Sequence, residues 1–165
     1  MTDVVLKKGR ASPVIRRHPW VFSGAVDRIE GEPADDDVVE VLDAGGNWLA
    51  RGTYNGRSQI RVRILTWEQD EAIDADFWRR RLEQAISGRR ALGLGAGSTE
   101  DAETTAYRMV HAESDYLPGL IVDRYGPWLL VQFLTLGMDR RRSLISETLA
   151  DLLERDGIRG VYERS

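Results

Sequence analysis

Apolar and polar positions alternate through Ile60-Arg61-Val62-Arg63-Ile64-Leu65, which predicts a half-buried strand. Ile60, Val62 and Ile64 then face a core, while Arg61 and Arg63 share the opposite face. Two further short runs, Val38–Leu42 and Trp48–Gly52, flank Asp43-Ala44-Gly45-Gly46-Asn47, whose turn chemistry predicts a hairpin loop. Upstream, Arg16-Arg17-His18-Pro19 leads through a proline-fixed turn into the aromatic, apolar strand Trp20-Val21-Phe22. Several short strands within the first 67 residues predict a small barrel or sandwich.

The period then changes. Trp78, Leu82, Ala85, Ile86 and Leu92 recur at helical spacing behind Asp74 or Asp76 as caps, and Gly93-Leu94-Gly95-Ala96-Gly97 ends that helix. Ser98 to Thr105 holds no apolar residue beyond alanine and reads as a mobile linker. Tyr107–His111 follows as a strand, and Leu120–Tyr125 and Trp128–Phe133 form a hairpin about Gly126-Pro127. Asp139 is expected to cap a second helix with a buried stripe of Leu144, Ile145, Thr148, Leu149, Leu152 and Leu153, ended by Gly157. The chain stops inside Val161–Ser165, which starts as a strand. That is the expected mark of a piece of a longer protein, and its open edge allows two copies to pair as a homodimer. The resulting division is 1–70, a connecting helix and linker over 71–104, and an α/β part over 105–165.

Composition narrows the chemistry. The chain has 165 residues and no cysteine, which removes disulfides, thiolate metal sites and a cysteine nucleophile, and favours a cytoplasmic protein. No apolar run is long enough to cross a bilayer, so no membrane partner is expected. The net charge is −4, but the cations are clustered. Residues 1–20 carry Lys7, Lys8, Arg10, Arg16 and Arg17 against Asp3 alone, whereas Glu30, Glu32, Asp35, Asp36, Asp37 and Glu40 form an acidic stretch. Local charge governs the field within about 10 Å, so a mildly acidic protein can still bind phosphate through a basic face.

Catalytic patterns are weak. Gly93-x-Gly95-x-Gly97 follows a helix and opens an acidic linker, the reverse of the strand-to-helix context a nucleotide or S-adenosylmethionine loop requires. His111-x-Glu113-x-Asp115 has no second cluster of ligands, and its side chains serve better as acceptors in the turn before Leu117-Pro118-Gly119. The serines and threonines have no histidine–carboxylate partner in the sequence. Arg79-Arg80-Arg81 and Arg140-Arg141-Arg142, in the first turns of their helices, read as solvated surface, with a face against RNA as the alternative. The one constellation with positive content is Lys7, Lys8, Arg10, Arg16, Arg17, His18 and Trp20 together with Arg61 and Arg63. Guanidiniums grip phosphates and flat rings stack on unpaired bases, so RNA binding fits; a solvated rim with Trp20 in the core fits the same residues.

These residues carry a resemblance. Leu6-Lys7-Lys8-Gly9-Arg10, Arg17-His18-Pro19-Trp20-Val21-Phe22-Ser23-Gly24-Ala25-Val26, Trp48–Tyr54 and Ser58–Arg63 resemble the N-terminal PUA domain of bacterial large-subunit rRNA methyltransferases. His111 to Gly126 resembles that family's central α/β domain, and Tyr162-Glu163-Arg164-Ser165 its strand before the catalytic domain. The departure is Tyr116, where glycine is common, and it implies a local change of turn. The resemblance implies an α+β fold: a small PUA-type β-barrel, a helix, and a truncated mixed α/β central domain in the order β-β-β-α-β. It also implies class I, S-adenosylmethionine-dependent methylation of cytosine C5 by a C-terminal domain absent from this chain. With no cysteine and no matching loop, this chain is expected to hold no cofactor and no catalytic residue. Its implied task is to dock and orient rRNA; the competing expectation is a packing or dimerisation scaffold without RNA contact.

Overall fold

A computed structural model describes residues 2–95 and 105–164, and the chain divides into two units, Met1–Ala72 and Ile73–Ser165. The first contains strands β1 (Asp3–Leu6), β2 (Trp20–Phe22), β3 (Val26–Glu30), β4 (Val38–Leu42), β5 (Trp48–Tyr54) and β6 (Ile60–Thr66), with a one-turn helix α1 (Ser12–Ile15). They form one sheet in the order β2-β6-β5-β4-β1-β3, antiparallel except for β1 beside β4. The expected barrel is a curled, open sheet. Among the described residues no ladder joins β2 to β3, which follow one another through a 3₁₀ turn at Ser23–Ala25. Alternation explains the core: Val4 and Leu6, Val39 and Val41, and Val62 and Ile64 pack with Val14 and Val21, each at most 2% exposed. Burial of each such side chain contributes about 1.5–3 kcal/mol. Ile60, expected among them, is only half-buried because the β2–β6 register shifts at Phe22.

The 43–47 loop closes the β4–β5 hairpin through its first residue. One Asp43 oxygen accepts from the amides of Gly45 and Asn47, and the other from the Asn47 side chain. These hydrogen bonds, the Asn47 side-chain amide foremost, hold the Asp43 carboxyl below the usual carboxylate range. On β4, buried Glu40 accepts from Arg51 Nε at 2.8 Å and from the Trp48 indole, so its charge is paired.

The second unit contains α2 (Ala75–Ala91), β7 (Ala106–His111), β8 (Leu120–Tyr125), β9 (Trp128–Phe133), α3 (Leu136–Asp139), α4 (Arg142–Leu152) and β10 (Gly160–Glu163). Its sheet order is β10-β9-β8-β7, with β10 parallel to β9, so the connection between those two must cross over, and α3 and α4 provide it. Asp74 caps α2 by accepting from the Phe77 amide at 2.9 Å. The buried face of α2 is Phe77, Trp78, Leu82, Ala85 and Ile86. Leu92, read as part of that face, is 74% exposed, because the helix ends at Ala91 and Gly93 turns the chain at φ +78°.

Asp139 caps nothing. It is the last residue of α3, whose cap is Thr135, and it pairs with Arg142 instead. Ile145, Leu149 and Leu153 are buried, while Leu144, Thr148 and Leu152 stay half-buried at the edge of that stripe. The arginine triplets do more than meet solvent. Arg79 pairs with Asp151, Arg81 lies over the Phe77 ring, and Arg141 lies over Trp78. The 79–81 triplet also sits past the first turn of α2, and 140–142 spans the junction of α3 and α4. The polar stretch 98–104 lies outside the described residues, as does Gly97.

Candidate nucleic-acid interface

The segment from Lys7 to Phe22 is built around a short helix with a tight exit. Pro13 sits in the first turn of α1, Val14 pins it into the core, and the Val14 carbonyl accepts from the Trp67 indole at 2.8 Å. The helix ends with His18 N–H donating to Pro13 O and Arg17 N–H donating to Val14 O, while Arg17 adopts φ +65°. That is a Schellman closure with an arginine where glycine is usual. The chain thereby reverses into Pro19, whose carbonyl accepts from Ile64 N–H, and enters β2 at the edge of the sheet. Val21 points inward, so Trp20 and Phe22 share the outer side of β2.

His18 folds back onto that edge. Its Nδ1 lies 3.2 Å from the Trp20 amide nitrogen and 3.3 Å from the Trp20 carbonyl oxygen. A neutral ring accepts from the amide, and a ring protonated at Nδ1 donates to the carbonyl, so either form closes the edge strand. The His18, Trp20 and Phe22 rings stand 5.7–6.4 Å apart, and the two contacts of Trp20 are edge-on at 81° and 88°. Beside them is a cavity of about 210 Å³ whose lining includes Arg10, Pro13, Val14, His18, Trp20 and Phe22. Phe22 is 47% exposed.

The structure separates the expected cations into two groups. Lys8, Arg10 and Arg16 are exposed, and their side chains make no ion pair or hydrogen bond among the described residues. Lys7, also exposed, donates from Nζ to the Gly24 carbonyl at 3.1 Å, just before the cavity-lining Ala25. Arg63 is cross-strand partner to Trp20, which puts both on one face. The other two are engaged elsewhere. Arg17 sits over the Trp67 ring at 5.4 Å and 3.6 Å from Glu68, both partners of that ion pair being exposed. Arg61 turns into its own hairpin and donates to the Gly56 carbonyl. The acidic stretch is also committed locally: Asp35 to Gly56 N–H and Arg57, Asp37 to Ala34 N–H, Glu40 to Arg51.

Sequence reading missed Phe22 as a site residue. The signal was present, since Trp20 and Phe22 flank an inward Val21 and must share a side; its exposure was not visible. The glycines do not fit S-adenosylmethionine. Gly93 and Gly95 close a helix C-terminus, and a Cβ on Gly95 would meet the Tyr107 hydroxyl at 2.2 Å, so the pair forms no open cradle at a helix N-terminus. His111-x-Glu113-x-Asp115 forms no ligand cluster among the described residues. Asp115 accepts from Arg89 at 2.6 and 2.9 Å and from the His111 amide, which makes it a brace of the turn. No helix among the described residues is long and apolar enough to cross a membrane.

Comparison with known proteins places this geometry. Residues 4–67 match the model of the PUA-like domain. The chain is 43% identical over 163 residues to ribosomal RNA large subunit methyltransferase I of Aeromonas hydrophila subsp. hydrophila, covering 99% of this chain and 39% of the relative. It is 41% identical over 162 residues to the protein of that name from Escherichia coli O1:K1 / APEC, covering 98% and 39%. Among solved structures, a Streptococcus mutans protein assigned as a SAM-dependent methyltransferase matches with TM-score 0.80 at 16% identity, over 99% of this chain and 40% of that one. SMU.776, assigned as a methyltransferase and solved with SAH, matches with TM-score 0.80 at 14% identity and the same coverage. At those identities the structural likeness is one of fold. Residues 4–67 are therefore similar to a PUA-like domain, in a chain that is similar almost end to end to ribosomal RNA large subunit methyltransferase I but spans about 39% of that protein's length.

Proposed function

We infer that this chain is the N-terminal, RNA-binding and substrate-orienting part of a class I, S-adenosylmethionine-dependent methyltransferase of large-subunit rRNA, with cytosine C5 as the methylated atom. The observation that carries the reading is local: exposed Arg10 lines a cavity together with His18, Trp20 and Phe22 inside the PUA-like segment, and Lys8 and Arg16, near it in sequence, are likewise exposed without side-chain partners among the described residues. The cations neutralise phosphates and set most of the affinity, and the rings meet unpaired bases. Methyl transfer, the cofactor site and the catalytic residues belong to the remaining length of the relatives. An rRNA substrate places the protein in the cytoplasm.

Fluorescence anisotropy with large-subunit rRNA fragments, run at low salt on this chain, tests the reading. Saturable binding weakened several-fold by Arg10→Ala and Arg16→Ala together is expected. Absence of binding, or indifference to both substitutions, favours a scaffold or dimerisation module instead. Isothermal titration with S-adenosylmethionine is expected to give no saturable heat; a clear binding isotherm contradicts the division of labour.

A further inference from the structure

We propose that the cavity beside β2 seats one unstacked base of single-stranded RNA, with Phe22 as its stacking surface and Arg10 holding the adjoining phosphate. The proposal rests on the RNA-binding reading and goes beyond it by assigning a base-sized subsite. The volume, about 210 Å³, far exceeds the 10–15 Å³ or so that one water needs. Its lining joins an apolar floor of Leu6, Val14 and Val21 to the rings of Trp20 and Phe22. A concave site of this kind cannot read a duplex, whose bases are stacked and paired, but it fits a base turned out of a loop or bulge.

Charge selects the occupant. Of the cavity-lining residues, Arg10 carries a full positive charge, and its guanidinium has no partner among the described residues. Lys8 and Arg16 precede and follow it in exposed positions. A neutral apolar ligand would leave Arg10 uncompensated, whereas a nucleotide presents a flat ring to the wall and an anion to the fork. Trp20 and His18 form the rigid back of the site. Their edge-on packing, and the bond between His18 and the Trp20 backbone, keep both rings in place while the Phe22 ring stays available.

The test is an NMR titration of the whole chain at low salt with the RNA trinucleotides UUU and AAA and with analogues whose central nucleotide is abasic. A base-bearing trinucleotide is expected to move the resonances of Trp20, Phe22 and Ala25 as well as those of Lys8, Arg10 and Arg16. The abasic analogue is expected to move only the cationic group and to bind about tenfold more weakly. Phe22→Ala, and Phe22→Leu as an apolar replacement without a ring, should lower affinity for the intact trinucleotide to that of the abasic one and leave the latter unchanged. Equal affinities and equal shift patterns for intact and abasic RNA overturn the base site while RNA binding itself stands. If neither trinucleotide perturbs Phe22 at millimolar concentration, the proposal fails, and binding of longer rRNA fragments at the same salt decides separately whether the RNA reading survives.

Discussion

Arg17 occupies a backbone position that favours glycine. At φ +65° an L-residue costs about 1–2 kcal/mol relative to its right-handed alternatives, and here that cost falls on the residue closing α1. What the arginine gains is an exposed pair with Glu68 and a guanidinium over Trp67, together of similar size. Arg17→Gly is therefore expected to leave Tm within about 4 °C of the parent, because the relieved strain offsets the lost contacts. Differential scanning calorimetry decides it, and a fall beyond about 10 °C would show that the side chain is structural. Tyr116, the departure noted from the resembling family, occupies the same kind of position at φ +57° and faces Arg81 across 5.6 Å. Glycine is the residue such a turn prefers, so Tyr116 holds a backbone conformation that glycine would adopt without strain.

At the scale of elements, the outer face of β2 depends on how closely β5 approaches β6. Gly52 allows that approach. A Cβ there would meet the Arg63 carbonyl oxygen at 2.2 Å and the Ile64 Cα at 2.8 Å, at the point where the ladder shifts register. Gly52→Ala must push β6 away, and β6 carries both Arg63 and the ladder to Trp20. A destabilisation of about 2 kcal/mol or more is expected by urea denaturation. No measurable change would mean the sheet tolerates a separation that its register does not suggest.

The elements also show where sequence reasoning reaches. Period-two alternation placed β6, and turn chemistry placed the β4–β5 hairpin around Asp43, because both signals are local. The bounds of α2 were legible for the same reason, as Asp74 or Asp76 ahead and the glycine run from Gly93 behind; the structure makes Asp74 the cap. The cap of α4 was misplaced because Asp139 ends a preceding short helix that Thr135 starts, a break that no period reveals over four residues. The candidate site was legible as a list of residues but not as a surface. Side-chain destinations, such as Arg61 on the Gly56 carbonyl of its own hairpin and Arg17 on Glu68 some fifty residues on, are set by the folded loops, and these withdraw two cations that the pattern had counted.

For the molecule as a whole, a net charge of −4 coexists with a cation-rich first 20 residues, so bulk charge and local field point in opposite directions. The distinction has a quantitative consequence. Each phosphate neutralised on single-stranded RNA contributes about −0.7 to the slope of log affinity against log salt. Three engaged cations therefore give a slope near −2, and more if Lys7 and Arg63 also reach the RNA. A molecule acting only as a scaffold has no such slope.

The most direct measurement is thus anisotropy of an rRNA-fragment complex from about 50 to 200 mM salt, for the parent chain and for Lys8→Ala/Arg10→Ala/Arg16→Ala. The parent is expected to lose roughly tenfold or more in affinity across that range, and the triple variant to bind weakly with a nearly flat dependence. Equal affinity and an unchanged slope in the triple variant would place the RNA elsewhere and contradict the assignment of this face.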